Sequence, residues 1–359
     1  MSDISPSGVH DTPEDRVTIR PQGLQGLLAL VPYLLGFHPE DSLVAVLLDQ
    51  GRVCLTLRLD LRALREDPDE VARIIATQQR RLDASHLLLV AYTNDVVGND
   101  GDGGVMTVLT DLALTLEFEA LTRGDQAPVL DAVQVAGGRY RSLGCAESGC
   151  CAGAGHDYQA VLNDPAAAQA VVHGIQARGH RDDLRALIAP GSERGDDAYQ
   201  RVVAETASTA QGLSGRAVAY AMDALLQQIA DADRVPAPAV LAELTGLVCH
   251  PAARDVASLR IDHASAPLWI EVWAAAARAT DGPAAVGPLA LTGLAAWARG
   301  NGALVNVCVE QAEQRGPDHG LVRILSDVVE RGLHPDTWTR MREHSLAEFG
   351  PLGPSARTP

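Results

Sequence analysis

Residues 42–60 read SLVAVLLDQGRVCLTLRLD, and the reading of this stretch decides the fold of the first half of the chain. Ser42–Asp49 and Val53–Asp60 are apolar runs rich in Leu and Val, joined at Asp49-Gln50-Gly51-Arg52, a short connection with glycine, so they are expected to pair as a β-hairpin. In the second run Thr56 and Arg58 alternate with Leu55, Leu57 and Leu59, which predicts one solvated face. Upstream, Leu24, Leu27, Leu28, Val31 and Leu35 recur at helical spacing until Gly36 stops the pattern, and Val17–Arg20 is a short expected strand. Downstream, residues 69–82 carry acids at their start and arginines near their end, with Val71, Ile74, Ile75 and Leu82 on one stripe, as a helix dipole and a buried face require. His86–Thr93 reads as a buried strand and residues 105–121 as a helix. Val129–Ala136 and Arg139–Leu143, separated by Gly137-Gly138, form a second expected hairpin. Strands alternating with helices in this way imply an α/β (or α+β) domain with a mixed sheet over residues 16–160.

The β signal stops near residue 160. Helical patterns follow at 166–177, 182–188, 197–207, 215–231 and 238–249, then at 267–280, 288–299, 302–315, 320–331 and 336–347. Pro-containing turns between them predict an all-α domain of antiparallel helices over residues 161–347. Trp297-Ala298-Arg299-Gly300, Ala303, Ala312 and Pro317 are spaced as in helix-turn-helix repeats of about 34 residues, although three full copies do not align. Residues 1–15 and 348–359 are punctuated by breakers and read as flexible tails.

Composition narrows the function classes. The chain of 359 residues is 47% hydrophobic, enough for sizeable cores. No uncharged apolar run reaches membrane-spanning length, and Met1-Ser2-Asp3-Ile4 is acidic where a secretory signal is basic, so a cytoplasmic protein without a membrane span is expected. The net charge of −17 has the wrong sign for bulk nucleic-acid binding. There is no lysine, so all 29 cationic side chains are arginine.

Two constellations carry candidate chemistry. Gly36-Phe37-His38-Pro39-Glu40-Asp41-Ser42 lies between a helix and a strand. His38 could act as acid or base oriented by Glu40 or Asp41, with Ser42 as nucleophile or ligand donor. Alternatively Gly36 caps the helix, Pro39 sets a turn, and Asp41 or Ser42 bonds backbone N–H groups, because residues this close in a turn rarely face one another as a triad must. The second is Cys145-x4-Cys150-Cys151 with His156. Four thiolate and imidazole groups could hold zinc, adjacent thiols could form a labile disulfide, or the cluster is structural packing, and the spacing lacks a Cys-x2-Cys knuckle. Cys54 and Cys308 fall in apolar patterns and read as small buried hydrophobes. The stretch Gly98–Gly104 precedes a helix but carries Asp100 and Asp102 and no Gly-Lys-Ser/Thr ending, so it reads as a surface loop and not a phosphate loop. Trp269, Trp273 and Trp297 read as core, and His250-Pro251 and His334-Pro335 as loop residues.

Four stretches, in order, resemble a known family: Pro32-Tyr33-Leu34-Leu35-Gly36-Phe37-His38-Pro39-Glu40-Asp41-Ser42-Leu43-Val44; Arg58-Leu59-Asp60-Leu61; the Cys145, Cys150, Cys151 cluster; and Trp297-Ala298-Arg299-Gly300-Asn301-Gly302-Ala303. Arg254-Asp255 and Leu268-Trp269 agree as well. Together they resemble DUF4192, a group of uncharacterised, mainly actinobacterial proteins, over residues 17–335. The chain departs from that pattern at Ala152, where the family has proline, and at Ser265-Ala266-Pro267-Leu268-Trp269. The resemblance implies the two-part architecture and no activity.

Two functions remain as expectations. The first is a binding or scaffold protein that meets a protein partner through its helical domain. The second is a small-molecule enzyme or ligand sensor with a site near the Phe37–Ser42 turn and the Cys145–Cys151 loop.

Overall fold

The computed structural model describes residues 19–94, 104–125, 128–145, 155–173, 175, 177–190, 195–316 and 319–357. The first half opens with α1 (Gly23–Leu35), β1 (Ser42–Asp49) and β2 (Arg52–Asp60), followed by α2 (Leu61–Glu66), α3 (Pro68–Arg81) and β3 (His86–Tyr92). Then come α4 (Val105–Thr122), β4 (Val129–Ala136), β5 (Arg139–Ser142) and β6 (His156–Asp157). The strands form one six-stranded sheet in the order β2-β1-β3-β4-β5-β6. β1 runs antiparallel to β2 and β3, β3 runs parallel to β4, and β5 and β6 add antiparallel neighbours at the edge. The mixed sheet expected from the sequence is present. The parallel step from β3 to β4 needs a crossover, and α4 supplies it.

Successive side chains of a strand leave opposite faces, so the continuous apolar runs of β1 and β3 serve two layers. Leu43, Ala45, Leu47, Leu87 and Leu89 pack against Leu64, Ile75 and Leu109 of α2, α3 and α4. Val44, Val46, Leu88, Val90 and Tyr92 face Leu28, Val31 and Leu35 of α1. Each fully buried Val or Leu is worth about 1.5–3 kcal/mol, so burial on both faces makes β1 and β3 the most strongly held strands. Asp67 caps α3 by accepting from the Glu70 amide at 3.0 Å, and Pro68 takes the first helical position where no amide is needed.

The second half contains α5 (Tyr158–Leu162), α6 (Pro165–Val172), α7 (Arg181–Ile188), α8 (Asp197–Gln211), α9 (Gly215–Ala232) and α10 (Pro238–Val248). It continues with α11 (Pro251–Leu259), α12 (Ala266–Ala279), α13 (Val286–Ala298), α14 (Gly302–Arg315), α15 (Gly320–Arg331) and α16 (Asp336–Phe349). Consecutive helices from α12 to α15 pack on one another across short links, while α8 lies on α10 and α9 on α11. Trp269, Trp273, Leu291 and Trp297 belong to the same buried cluster as the α1 face of the sheet, so apolar packing runs from the sheet into the helices. The α8–α10 contact is close because Gly246 has no side chain: a Cβ there would stand 2.5 Å from the Thr206 Cβ and 2.7 Å from the Val203 carbonyl oxygen.

Several expectations change. Ile19 and Arg20, the described part of the strand expected at 17–20, are not in a strand, and β6 is the sixth strand instead. Residues 251–259 form α11, with the His250 Nδ1 accepting from the Ala252 amide at 3.2 Å and Pro251 as the first helical residue, so this His-Pro pair starts a helix. α6 ends at Val172. The expected flexible tail is docked over residues 350–357: Ala356 is buried, the Ser355 amide donates to Asp255 Oδ2 at 2.9 Å, and Pro354–Arg357 forms a short 3-10 turn against α9 and α11. Thr56 and Arg58 are half-buried, so the β2 face expected in solvent is partly covered. Cys308 is buried as expected, and Cys54 is only half-buried. No helix among the described residues is long and apolar enough to cross a membrane.

Candidate functional site

The turn from Gly36 to Ser42 joins α1 to β1 at the end of the sheet where β2, β3 and β4 finish. Gly36 ends α1 with φ 80°, a left-handed conformation that costs an L side chain about 1–2 kcal/mol. A Cβ on Gly36 would also lie 3.1 Å from the Asn301 side-chain nitrogen. Asn301 is itself held, since its Oδ1 accepts from the Leu304 amide at 3.0 Å and caps α14. Next, the His38 amide donates to the Arg178 carbonyl and the Arg178 amide to the Gly36 carbonyl, each at 2.9 Å, so Phe37 and Arg178 form a parallel bridge. The turn is thereby clamped between the segment leading into α7 and the start of α14.

The four candidate residues of the turn point to different partners. His38 is half-buried, and burial, with the nearby His180, holds its imidazole below the ordinary range, so it is neutral at pH 7. Glu40 is exposed and its carboxylate stands 3.2 Å from His180 Nδ1. Asp41 has φ 41°; its carbonyl accepts from the Leu61 amide at 3.0 Å and its carboxylate from Asn94 Nδ2 at 3.3 Å. Ser42 is fully buried, donates its hydroxyl to the Glu40 carbonyl, and accepts from Arg58 Nε at 2.8 Å. A hydroxyl engaged on both sides orients the Arg58 guanidinium.

Arg58 is the feature that local sequence patterns missed. Burial and then the Arg181 guanidinium, with Arg185 adding to it, lower its proton affinity, while Asp60 acts in the opposite sense. Arginine stays charged even so. Arg181 and Arg185 sit one turn apart on α7 and share one acceptor: Arg181 Nη2 donates to Glu310 Oε1 at 2.7 Å and Arg185 Nη2 to Glu310 Oε2 at 3.3 Å. Arg185 also reaches Asp182 at 3.0 Å. Three guanidiniums from β2 and α7 thus gather beside the turn.

Of the cysteine cluster, Cys145 and His156 are described residues. Cys150 and Cys151 lie outside the described residues, as do Gly98–Gly103 of the glycine-rich stretch. Among the described residues no group of three or more His, Cys, Asp or Glu side chains is arranged to hold a metal ion. His156 opposes Tyr140 in the sheet and stacks on its ring at 5.0 Å. A register row runs Asp60, Ser42, Tyr92, Val135, Tyr140, His156, so His156 is four strands from Ser42, about 19 Å at the usual strand spacing. Between them Tyr92 and Tyr158 share a buried hydrogen bond at 3.2 Å, and burial keeps the Tyr92 phenol protonated. A separate cavity of about 140 Å³ lies among α13, α14 and α15, lined by Val286, Ala312 and Val322 together with Glu313, His319 and Ser326.

The neutral state of His38 has a measurable consequence. Its folded-state proton affinity is depressed, so the unfolded chain binds the proton more readily, and stability from this residue falls as pH drops below about 6.5. Between about pH 7.5 and pH 5.5 the denaturation midpoint of the wild type is expected to fall more steeply than that of His38→Gln. Equal slopes for the two proteins would show that His38 is not the group responsible.

Three of the stretches that resemble the family meet at this turn. Gly36 and Ser42 come from the first, Arg58 from the second and Asn301 from the fourth, joined by the Gly36–Asn301 approach and the Ser42–Arg58 hydrogen bond. No curated protein and no solved structure matches the chain. The family described as a domain of unknown function, DUF4192, matches residues 25–336, and the chain belongs to it.

Proposed function

We propose that the protein is a small-molecule ligand sensor or enzyme whose anionic ligand binds beside the Gly36–Ser42 turn, between the sheet and α7. The convergence of Arg58, Arg181 and Arg185 supports this reading, with one carboxylate, Glu310, shared by the last two. The place also suits a ligand, because open α/β sheets bind theirs at the carboxyl ends of parallel strands, and Tyr92 and Ala136 end β3 and β4 on this side. A net charge of −17 repels long polyanions, which favours a small anion over a polymer. The scaffold alternative draws less support: α6 exposes Val171 and Val172, but from α7 onward no described helix carries more than one exposed large hydrophobic residue, with Tyr220, Ile324 and Met341 on three different helices.

The test is a thermal-shift screen of small anions on the full chain and on Arg58→Gln. A ligand at 100 times its dissociation constant stabilises the folded state by about 2.7 kcal/mol, and that gain is expected to vanish in Arg58→Gln while the unliganded midpoint moves little. A wild-type protein that no small anion stabilises would overturn the proposal.

A further inference from the structure

We propose that the outward face of α4 is a docking surface for an amphipathic helix of a partner protein, one whose apolar stripe is bordered by lysine or arginine. A helix that shields a sheet needs one apolar face. α3 keeps to that pattern: Val71 and Ile75 are buried, while Asp69, Glu70, Arg73 and Arg80 are exposed. α4 carries a second apolar face. Its Leu109, Leu112 and Leu116 are buried in the same cluster as Leu87 and Leu89 of the sheet, yet Leu114, Phe118 and Leu121 are 58, 70 and 60% exposed. Spacings of four and then three residues set these three on one stripe about two turns long, on the side of the helix away from the sheet. An exposed apolar patch rimmed by polar residues marks a protein interface, and anchors at i, i+4 and i+7 are how one helix docks on another.

The charges around the stripe select its occupant. At about 100° per residue, Asp111 borders the stripe on one side and Glu117 on the other. Neither has an ion pair among the described residues, and the one arginine within 105–125, Arg123, is already held by Glu119 at 3.7 Å and Asp125 at 3.2 Å. Two carboxylates flanking an apolar stripe match cations flanking the stripe of a partner. A second copy of this chain brings the same two acids and a net charge of −17, so like charges would meet.

The test measures binding to the full chain by fluorescence anisotropy at physiological ionic strength, where exposed charges are screened beyond about 8 Å. The probes are a labelled synthetic helical peptide with leucines at i, i+4 and i+7 bordered by lysines, and the same peptide with glutamates in place of the lysines. The wild type is expected to bind the lysine peptide and not the glutamate peptide. Phe118→Ser should weaken that binding at least about tenfold while the denaturation midpoint stays in place, because the ring is mostly in solvent. Asp111→Lys combined with Glu117→Lys should transfer the preference to the glutamate peptide. If Phe118→Ser binds the lysine peptide as tightly as the wild type, the attraction is to the net charge of the chain and the proposal falls. It falls equally if the wild type binds neither peptide, or if the wild type sediments as a dimer that Phe118→Ser dissociates, which assigns the face to a second copy.

Discussion

Trp273→Ala will lower the stability of the folded chain by about 3–5 kcal/mol, the cost of emptying a large site that neighbours cannot fill. Trp273 is fully buried on α12, within the cluster that links helices to sheet. Chemical denaturation should show a lower midpoint at an unchanged slope. A sharper form of the prediction separates packing from hydrogen bonding. The indole N–H groups of Trp269, Trp297 and Trp338 donate to the carbonyls of Arg260, Leu333 and Ile261 at 3.1, 2.9 and 2.9 Å. The Trp273 Nε1 is buried with no acceptor among the described residues. An unpaired buried donor costs about 1–3 kcal/mol, so Trp273→Phe removes a penalty along with some contacts, whereas Trp297→Phe strands the Leu333 carbonyl. Trp273→Phe is therefore the milder of the two. The reverse ranking would mean that the Trp273 N–H is satisfied.

Gly36→Val is the second large effect, expected at about 3 kcal/mol. A left-handed residue with a β-branched side chain costs about 1–2 kcal/mol, and overpacking against Asn301 adds about 1–3 kcal/mol. Gly36→Ala meets the same neighbour with a smaller group and should cost less. Combining Gly36→Ala with Asn301→Ala should be less damaging than the two losses added together, because the second change clears the space the first needs. Strict additivity in that cycle would place the damage in the backbone alone.

The fold was largely legible where one local pattern governed the outcome. β1 and β3 announced themselves as apolar runs because both their faces are buried, and α3 because its acids, arginines and stripe agree. α11 escapes a local reading because His250-Pro251 reads as a loop, although proline at a first helical position costs no hydrogen bond. The docked segment at 350–357 escaped because its partners, Asp255 and Gly215, are remote in the chain and its own composition is that of a loop. At the site, the turn residues from His38 to Ser42 stood out as a polar knot, yet their partners did not. Arg58 reads from its alternation with leucines as part of a solvated face, and it is half-buried. Arg181 and Arg185 on a short helix carry the same sequence signature as any solvent-facing arginine pair. Only tertiary placement makes them one cluster with Arg58.

The join between sheet and helices also sets an order of events in time. Besides the clamp on the turn, Gln78 Nε2 donates to the Glu330 carbonyl across 252 residues of chain. Contacts of such span pay their loop entropy before they return anything, whereas the β1–β2 hairpin and the successive helix pairs close locally. The local pairs are therefore expected to form before the join, and hydrogen exchange that protects the join and the local pairs alike would contradict that order. In a chain opened at the join, Arg58 of β2 would be parted from Arg181 and Arg185 of α7.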